Sequence, residues 1–335
     1  MSFLNRDDTS ARKWTRPLRS LLHPLPTIYN RAFMRPVFDW NIGSRTLQLG
    51  KRTLIMGVVN VTPDSFSDGG LYLDRNRAVA HALELLDDGA EIIDVGGEST
   101  RPGAAVLPQS QENDPPPSTK TPVTESEELD RVLPVISAIK QRRPGAIVSI
   151  DTYKANVARA AAGAGAEIVN DVSGLRWDPN MRKTVAGLRC GAVVMHMRGR
   201  PEEWKSLPPP SDIVVQVKRE LREWVDAALM AGVKRDRIVL DPGFGFGKSF
   251  QENYPLLKRF DELHQLRYPL LVGVSRKSFI GRALVRDGKD APANERLYGT
   301  LATETALILK GAHIVRTHDV RACADAMRVA DIVVS

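Results

Sequence analysis

Ile238-Val-Leu-Asp-Pro-Gly-Phe-Gly-Phe-Gly-Lys248 joins a short β-branched apolar run to a carboxylate and then to a glycine-rich turn. Ile238 to Leu240, preceded by a charged residue and followed by Pro242 and Gly243, reads as a fully buried strand ending at Asp241. The glycines permit positive φ and let backbone N–H groups approach a ligand. A nucleotide-binding loop does not fit. A Walker loop ending at Gly247-Lys248-Ser249 requires glycine where Pro242 stands, and the glycine spacing is not that of a dinucleotide fingerprint. Alone, an Asp after a strand is ordinarily a cap or turn residue. Its weight here comes from recurrence.

Seven further apolar runs end in polar residues. Thr53 to Val59 leads to Asn60, Ile92 to Val95 to the segment Gly96 to Gly103, Ile147 to Ile150 to Asp151, and Glu167 to Val169 to Asn170-Asp171. Ala192 to Met195 leads to His196, Leu270 to Val274 to Ser275-Arg276-Lys277, and Ile314 to Thr317 to His318. Helical periodicity follows each run: Asp74 to Asp88, Thr124 to Gln141, Lys154 to Ala162, Pro179 to Leu188, Asp212 to Ala231, Asn253 to Leu266, segments up to Lys310, and Asp319 to Val329. Buried strands alternating with helices pair in parallel, and eight of them match a closed α/β barrel, the (β/α)8 TIM barrel, better than an open doubly wound sheet. Such a barrel carries its chemistry at the carboxyl ends of the strands. Two short apolar pieces around Gly43-Ser44, between Trp40 and Gly50, read as a hairpin plugging the barrel bottom.

The chain has 335 residues, 42% of them hydrophobic, enough for an extensive core. Its two cysteines, Cys190 and Cys323, stand in no metal or redox spacing, which points to buried thiols in a reducing, cytoplasmic setting. No apolar run approaches the roughly 18 residues of a membrane span. The net charge of +7 is concentrated in residues 1 to 50, which hold +5, so the body is nearly neutral and nucleic acid is not an expected partner. Residues 1–40 form a basic, Pro-containing extension, and 41–335 the catalytic barrel. An organelle transit peptide is the other reading of the extension, but Asp7 and Asp8 count against it. Ala104 to Pro122, with Pro115-Pro116-Pro117, is too long and polar for an ordinary connection and reads as a flexible loop on the active-site face or an insertion with a local role.

Asn60, Thr100, Arg101, Asp151, Asn170, Asp241, Lys277, Arg316 and His318 would converge on one mouth. Any single one is better read as a helix cap, but nine together are harder to dismiss. The absence of a His/Cys cluster counts against a transition-metal site, whereas an amide oxygen suits a hard cation such as Mg²⁺ held largely by substrate phosphates.

Several blocks resemble dihydropteroate synthase of folate biosynthesis: Asn60-Val-Thr-Pro-Asp-Ser-Phe-Ser-Asp-Gly-Gly70, Asp94-Val-Gly-Gly-Glu-Ser-Thr-Arg-Pro-Gly103, Asn170-Asp171, Met195-His-Met197, Asp241 to Lys248, Ser275-Arg-Lys-Ser278 and Arg316-Thr-His-Asp319. The resemblance implies a barrel that joins a dihydropterin methyl diphosphate to 4-aminobenzoate and releases diphosphate. It assigns Asp241, Asn170, Asp151 and Lys277 to the pterin, and Arg316, His318, Thr100 and an Asn60-bound Mg²⁺ to the diphosphate. Arg101 and Ser275 are further substrate-binding positions, Phe66 and Pro102 are candidates to close over the aminobenzoate, and a homodimer is expected. A carboxylate accepts the paired amino and ring N–H donors of a pterin, so Asp241 suits its assignment chemically. The insertion after Thr100 and Arg101 and the leader before Trp40 depart from the family's pattern.

Two other functions compete. A pterin-binding barrel that passes a methyl group to a corrinoid protein shares the Asn and Asp contacts but needs no diphosphate site, so Arg316, His318, Lys277 and the Asn60 loop favour the synthase. A catalytically silent pterin-binding or nucleic-acid-binding protein working through its basic leader would show steep salt-dependent retention of nucleic acid, and the leader lacks aromatic interleaving beyond Trp14 and Tyr29.

Overall fold

The computed structural model describes residues 35–62, 71–98 and 122–334. The expectations for Phe66, Thr100, Arg101 and Pro102, for most of the leader and for the segment from Ala104 lie outside these residues. Strands β1 (Phe38–Asn41) and β2 (Thr46–Leu49) form an antiparallel hairpin. Eight parallel strands follow: β3 (Leu54–Asn60), β4 (Ile92–Gly96), β5 (Ile147–Asp151), β6 (Ile168–Asp171), β7 (Gly191–Met195), β8 (Ile238–Asp241), β9 (Leu271–Val272) and β10 (Ile314–Thr317). They pair in the order β8-β7-β6-β5-β4-β3-β10-β9, and a parallel bridge between Leu240 and Leu270 joins the two ends. This is the expected (β/α)8 barrel, with its closing seam made by a single bridge. The helices are α1 (Leu71–Asp87), α2 (Glu125–Arg142), α3 (Ala155–Gly163), α4 (Met181–Leu188), α5 (Ile213–Met230), α6 (Phe250–Lys258), α7 (Ser278–Ala283), α8 (Leu297–Leu309) and α9 (Val320–Val334).

Local chemistry sets the helix starts. Thr124 and Glu127 form a capping box before α2, and the Asp212 carboxylate accepts from Val214 N at 2.8 Å before α5; such caps contribute about 1 kcal/mol each. The single helix expected over Asn253 to Leu266 is instead α6 followed by a 3₁₀ turn over Phe260–Leu266. Arg259 sits at the break, where its guanidinium binds Glu262 Oε1 at 2.6 Å and Asp212 Oδ2 at 2.8 Å, and it leaves helical geometry with φ −109° and ψ 25°.

Strand alternation divides the apolar residues between two cores. Ile55, Val59, Ile93, Val95, Val148, Val194 and Leu240 point outward to the helices. Leu54, Met56, Ile92, Ile147, Ile168 and Val193 point inward at the amino-terminal end, where Trp40 and Ile42 of the hairpin pack on them. The hairpin therefore plugs the bottom as expected, and Trp40, fully buried, also donates from Nε1 to Arg237 O at 2.8 Å. The expected 40/41 boundary runs through β1. Buried Arg35 already binds the barrel, donating to Thr53 Oγ1 at 2.8 Å and to Ala312 O at 3.0 Å while pairing with Asp331 on α9. No helix among the described residues is long and apolar enough to cross a membrane.

Candidate active site

One layer above the inward apolar residues, the same strand parity carries polar groups. Ile92 is followed two positions on by Asp94, Ile168 by Asn170, Val239 by Asp241 and Ile314 by Arg316. Together with Asp151 at the end of β5, they occupy the carboxyl-terminal half of the barrel interior. A cavity of about 380 Å³ opens there. Its walls bring together Asn60, Asp151, Asn170 and Asp241 with Ser275, Lys277, Arg316 and His318, so every described candidate reaches it. His196, also at a strand end, turns outward instead: Nε2 lies 3.0 Å from Glu220 Oε2 and the ring stacks on Trp224.

Arg316 organises the floor. Its Nε donates to Asp94 Oδ2 at 2.7 Å and its Nη2 to Asp151 Oδ2 at 2.8 Å. Asn170 Nδ2 donates to the same Asp94 oxygen at 2.9 Å. Asp94 is fully buried, and its Oδ1 lacks a hydrogen-bond partner among the described residues. Sequence reasoning passed over Asp94 as a site residue, although its parity with Ile92 in an otherwise apolar strand was an available signal.

Three N–H groups of the glycine turn are already spent within the protein. Gly243 N donates to Asp241 Oδ1 at 2.7 Å, Gly245 N to Asn253 Oδ1 at 2.7 Å and Phe246 N to Gly243 O at 3.2 Å. Lys248 Nζ gathers the turn from within, donating to the carbonyls of Gly243 at 2.8 Å and Phe246 at 3.2 Å. Gly243 has φ 64°, and a Cβ there would stand 1.9 Å from His196 O, so no other residue fits. The turn thereby holds Asp241, and it places Phe246 with its ring centroid 4.2 Å from Lys277 Nζ.

Lys277 also donates to Phe244 O across the turn. Burial lowers its ammonium to about 7, partly opposed by Asp241. Burial likewise raises Asp151 to about 7 against the pull of Arg316, and raises Asp241 against that of Lys277. Desolvated, mutually opposed charges lining a cavity are characteristic of a site shaped for a polar ligand. At the rim, Ser275 Oγ lies 3.0 Å from His318 Nδ1 and accepts from His318 N at 3.2 Å, tying the imidazole to the β9 turn. Arg276, at φ 58°, is held by Asp319 through its guanidinium, by Thr300 Oγ1 through its N–H at 3.0 Å and by Arg296 Nη1 through its carbonyl at 2.7 Å. These contacts with α8, the segment before it and the turn after β10 fix the turn that presents Lys277.

For Mg²⁺, the fitting donor is the Asn60 amide oxygen, half-buried at the end of β3 on the cavity wall. No cluster of three or more His, Cys, Asp or Glu suited to a metal exists among the described residues.

A parallel barrel whose inner strand ends present carboxylate, amide, ammonium and guanidinium groups to one cavity is built as a (β/α)8 enzyme, and the pattern of the pterin binding enzyme family matches residues 56–115 and 116–318. The dihydropteroate synthase of Clostridium beijerinckii is 43% identical over 294 residues, covering 88% of this chain and 98% of that protein. The enzyme of the same name from Escherichia coli is 42% identical over 281 residues, 84% of this chain and 92% of that one. Among solved structures, Xanthomonas albilineans dihydropteroate synthase with 4-aminobenzoic acid superposes with a TM-score of 0.77 at 41% identity, covering 89% of this chain and 98% of the other. The same enzyme in complex with 7,8-dihydropteroate gives a TM-score of 0.74 at 39% identity, covering 88% and 98%. The chain belongs to the dihydropteroate synthase family, transferases of folate biosynthesis.

Proposed function

We propose that the residues at this barrel mouth join a dihydropterin methyl diphosphate to 4-aminobenzoate, dividing the work between floor and rim. The observation that carries the division is the placement of Asp241, Asn170 and Lys277 on the same cavity as Arg316 and His318. Asp241 accepts the pterin's amino and ring N–H donors, Asn170 meets the rest of the pyrimidine edge, and Lys277 donates to the pterin carbonyl. Asp151 shapes the same pocket through Arg316. Arg316, His318, Ser275 and Thr100 gather the diphosphate, with Arg101 beside Thr100 in sequence. Phe66 and Pro102 close on the aminobenzoate.

Asn60 would hold Mg²⁺ together with diphosphate oxygens, and the ion supplies neutralisation of the leaving group's charge. Preplaced cations at the leaving group lower the barrier as the C–O bond breaks. A neutral aromatic amine is already a nucleophile, and an electron-rich dihydropterin stabilises a cation at its methylene carbon. The displacement is therefore dissociative, and the protein works by positioning and electrostatics without a general base. Incubation with both substrates and Mg²⁺ tests the reading: diphosphate release must depend on 4-aminobenzoate, and binding of both without turnover overturns it.

The chain acts as a cytoplasmic homodimer on the same reading. Both cysteines are free and buried, as a reducing compartment allows. Tyr298 on α8 and Val329, Ile332 and Val333 on α9 are exposed apolar side chains on two helices packed together, a surface suited to a second copy. A monomer in sedimentation at micromolar concentration would remove the dimer.

A further inference from the structure

Lys248 ends the glycine turn after β8, and its ammonium is buried without an ion-pair partner among the described residues. Its contacts are three backbone carbonyls: Gly243 O at 2.8 Å, Phe246 O at 3.2 Å and His196 O at 3.3 Å. A neutral amine brings only two N–H donors, so three carbonyls call for the charged form. His196 directly follows β7, and its N–H donates to Asp241 O at 2.8 Å. The end of β7 and the turn are thus joined in both directions. They also lie in close contact, since a Cβ on Gly243 would stand 1.9 Å from His196 O and one on Gly247 would stand 2.2 Å from Arg198 O.

The turn carries more of the cavity wall than any one of its residues. It begins at Asp241, whose Oδ1 is fixed by Gly243 N at 2.7 Å. It presents the Phe246 ring 4.2 Å from Lys277 Nζ, and its Phe244 carbonyl accepts from the same ammonium. Asp241, Phe246 and Lys277 all line the cavity. A shift of the turn away from β7 therefore moves an acceptor and an aromatic wall, and takes from Lys277 the carbonyl that holds it.

A buried ammonium without a carboxylate is a costly way to fill space, because burial disfavours the charged form. Burial does lower Lys248, and the Asp241 carboxylate opposes that shift. An apolar side chain would occupy the same volume without this cost. What it could not do is hold three carbonyls at fixed points or place a positive charge near Asp241.

We propose that Lys248 is a positioning residue for the pterin site: by gathering the carbonyls of His196, Gly243 and Phe246, it fixes the glycine turn so that Asp241, Phe246 and Lys277 keep their mutual geometry. The inference rests on the assignment of Asp241 and Lys277 to the pterin under the function proposed above. Lys248 itself touches no substrate on this reading and acts through the turn.

The test is calorimetry of Lys248→Met with a simple pterin lacking diphosphate, beside steady-state kinetics and urea unfolding. Methionine fills much of the space without an N–H, so the turn keeps its packing and loses its tie. Simple-pterin affinity should weaken about tenfold or more. KM for the pterin diphosphate should rise by the same factor with kcat within about threefold of the parent, the pattern of lost uniform binding. Arg35→Ala, whose contacts lie at the other end of the barrel, is the destabilised control and should bind the pterin as the parent does. A structural role alone would lower the stability of Lys248→Met while leaving affinity and KM at the parent values, and that outcome overturns the proposal. Should Lys248→Met not fold, Lys248→Gln decides. Its amide keeps two N–H groups without the charge, and affinity should still fall about threefold or more. Unchanged affinity, or failure of this variant to fold as well, overturns the proposal. Failure of the underlying assignment is distinguishable, because Asp241→Asn would then bind the pterin as tightly as the parent. Failure of the inference alone leaves Asp241→Asn impaired and Lys248→Met unimpaired.

Discussion

Arg316 on β10 reaches across β3 to Asp94 on β4, its Nε 2.7 Å from Asp94 Oδ2. This contact joins strands that are not neighbours and supports Asn170 through the same oxygen. Asp94→Ala leaves a largely buried guanidinium with only one carboxylate and strips Asn170 of an acceptor. Removing one partner of a buried pair costs about 3 to 5 kcal/mol, so urea unfolding should show a loss of that order, and simple-pterin affinity should fall with it. Parent stability in Asp94→Ala would mean that the pair is incidental.

Asp241→Asn should keep the fold, since an amide oxygen can still accept from Gly243 N, the contact that Asp241 Oδ1 makes at 2.7 Å. It should not keep the ligand. Facing a donor pair, the amide offers a donor where an acceptor is needed, and hydrogen bonds to a charged group are worth about 1.5 to 3 kcal/mol each. Calorimetry with a simple pterin should show a loss of about a hundredfold or more. Unchanged affinity would reduce Asp241 to a turn residue.

The pH dependence of kcat/KM for the pterin diphosphate reports groups of the free enzyme. Lys277, lowered to about 7 by burial, is charged below that pH and loses its ability to donate as an ammonium as pH rises through it. Asp151, raised to about 7 by burial, is ionised above that pH and takes up a proton as pH falls through it. A bell centred near neutrality follows. Lys277→Arg stays charged and should lose the alkaline limb. A profile flat from about pH 6 to 9 would contradict both assignments.

Arg35 binds Thr53, Ala312 and Asp331 from a site outside the expected barrel boundary. Arg35→Ala leaves the Asp331 carboxylate and the Ala312 carbonyl short of a donor, so the chain should lose about 3 kcal/mol of stability with kcat unchanged. Equal urea midpoints for the two proteins would place the start of the folded body later in the chain.

The alternation of short β-branched runs with amphipathic segments determined the barrel, because parallel strands buried on both faces must be apolar throughout and their crossovers must be helical. It also determined the list of residues at the strand ends, since a break from apolar to polar is visible in one dimension. Which of those residues meet was not visible there. The outward turn of His196, the reach of Arg316 over β3 to Asp94 and the pairing of Lys154 with Glu98 and Glu128 join residues 24, 222, 56 and 26 positions apart. The glycine turn that looked open to a ligand is closed around its own Lys248, because the burial that makes an ammonium need three carbonyls exists only once β7, β8 and the turn are packed together. Periodicity is a property of neighbouring residues and is legible in the chain. Pairing across the barrel depends on strand parity, desolvation and the reach of individual side chains, and those are set by the tertiary structure.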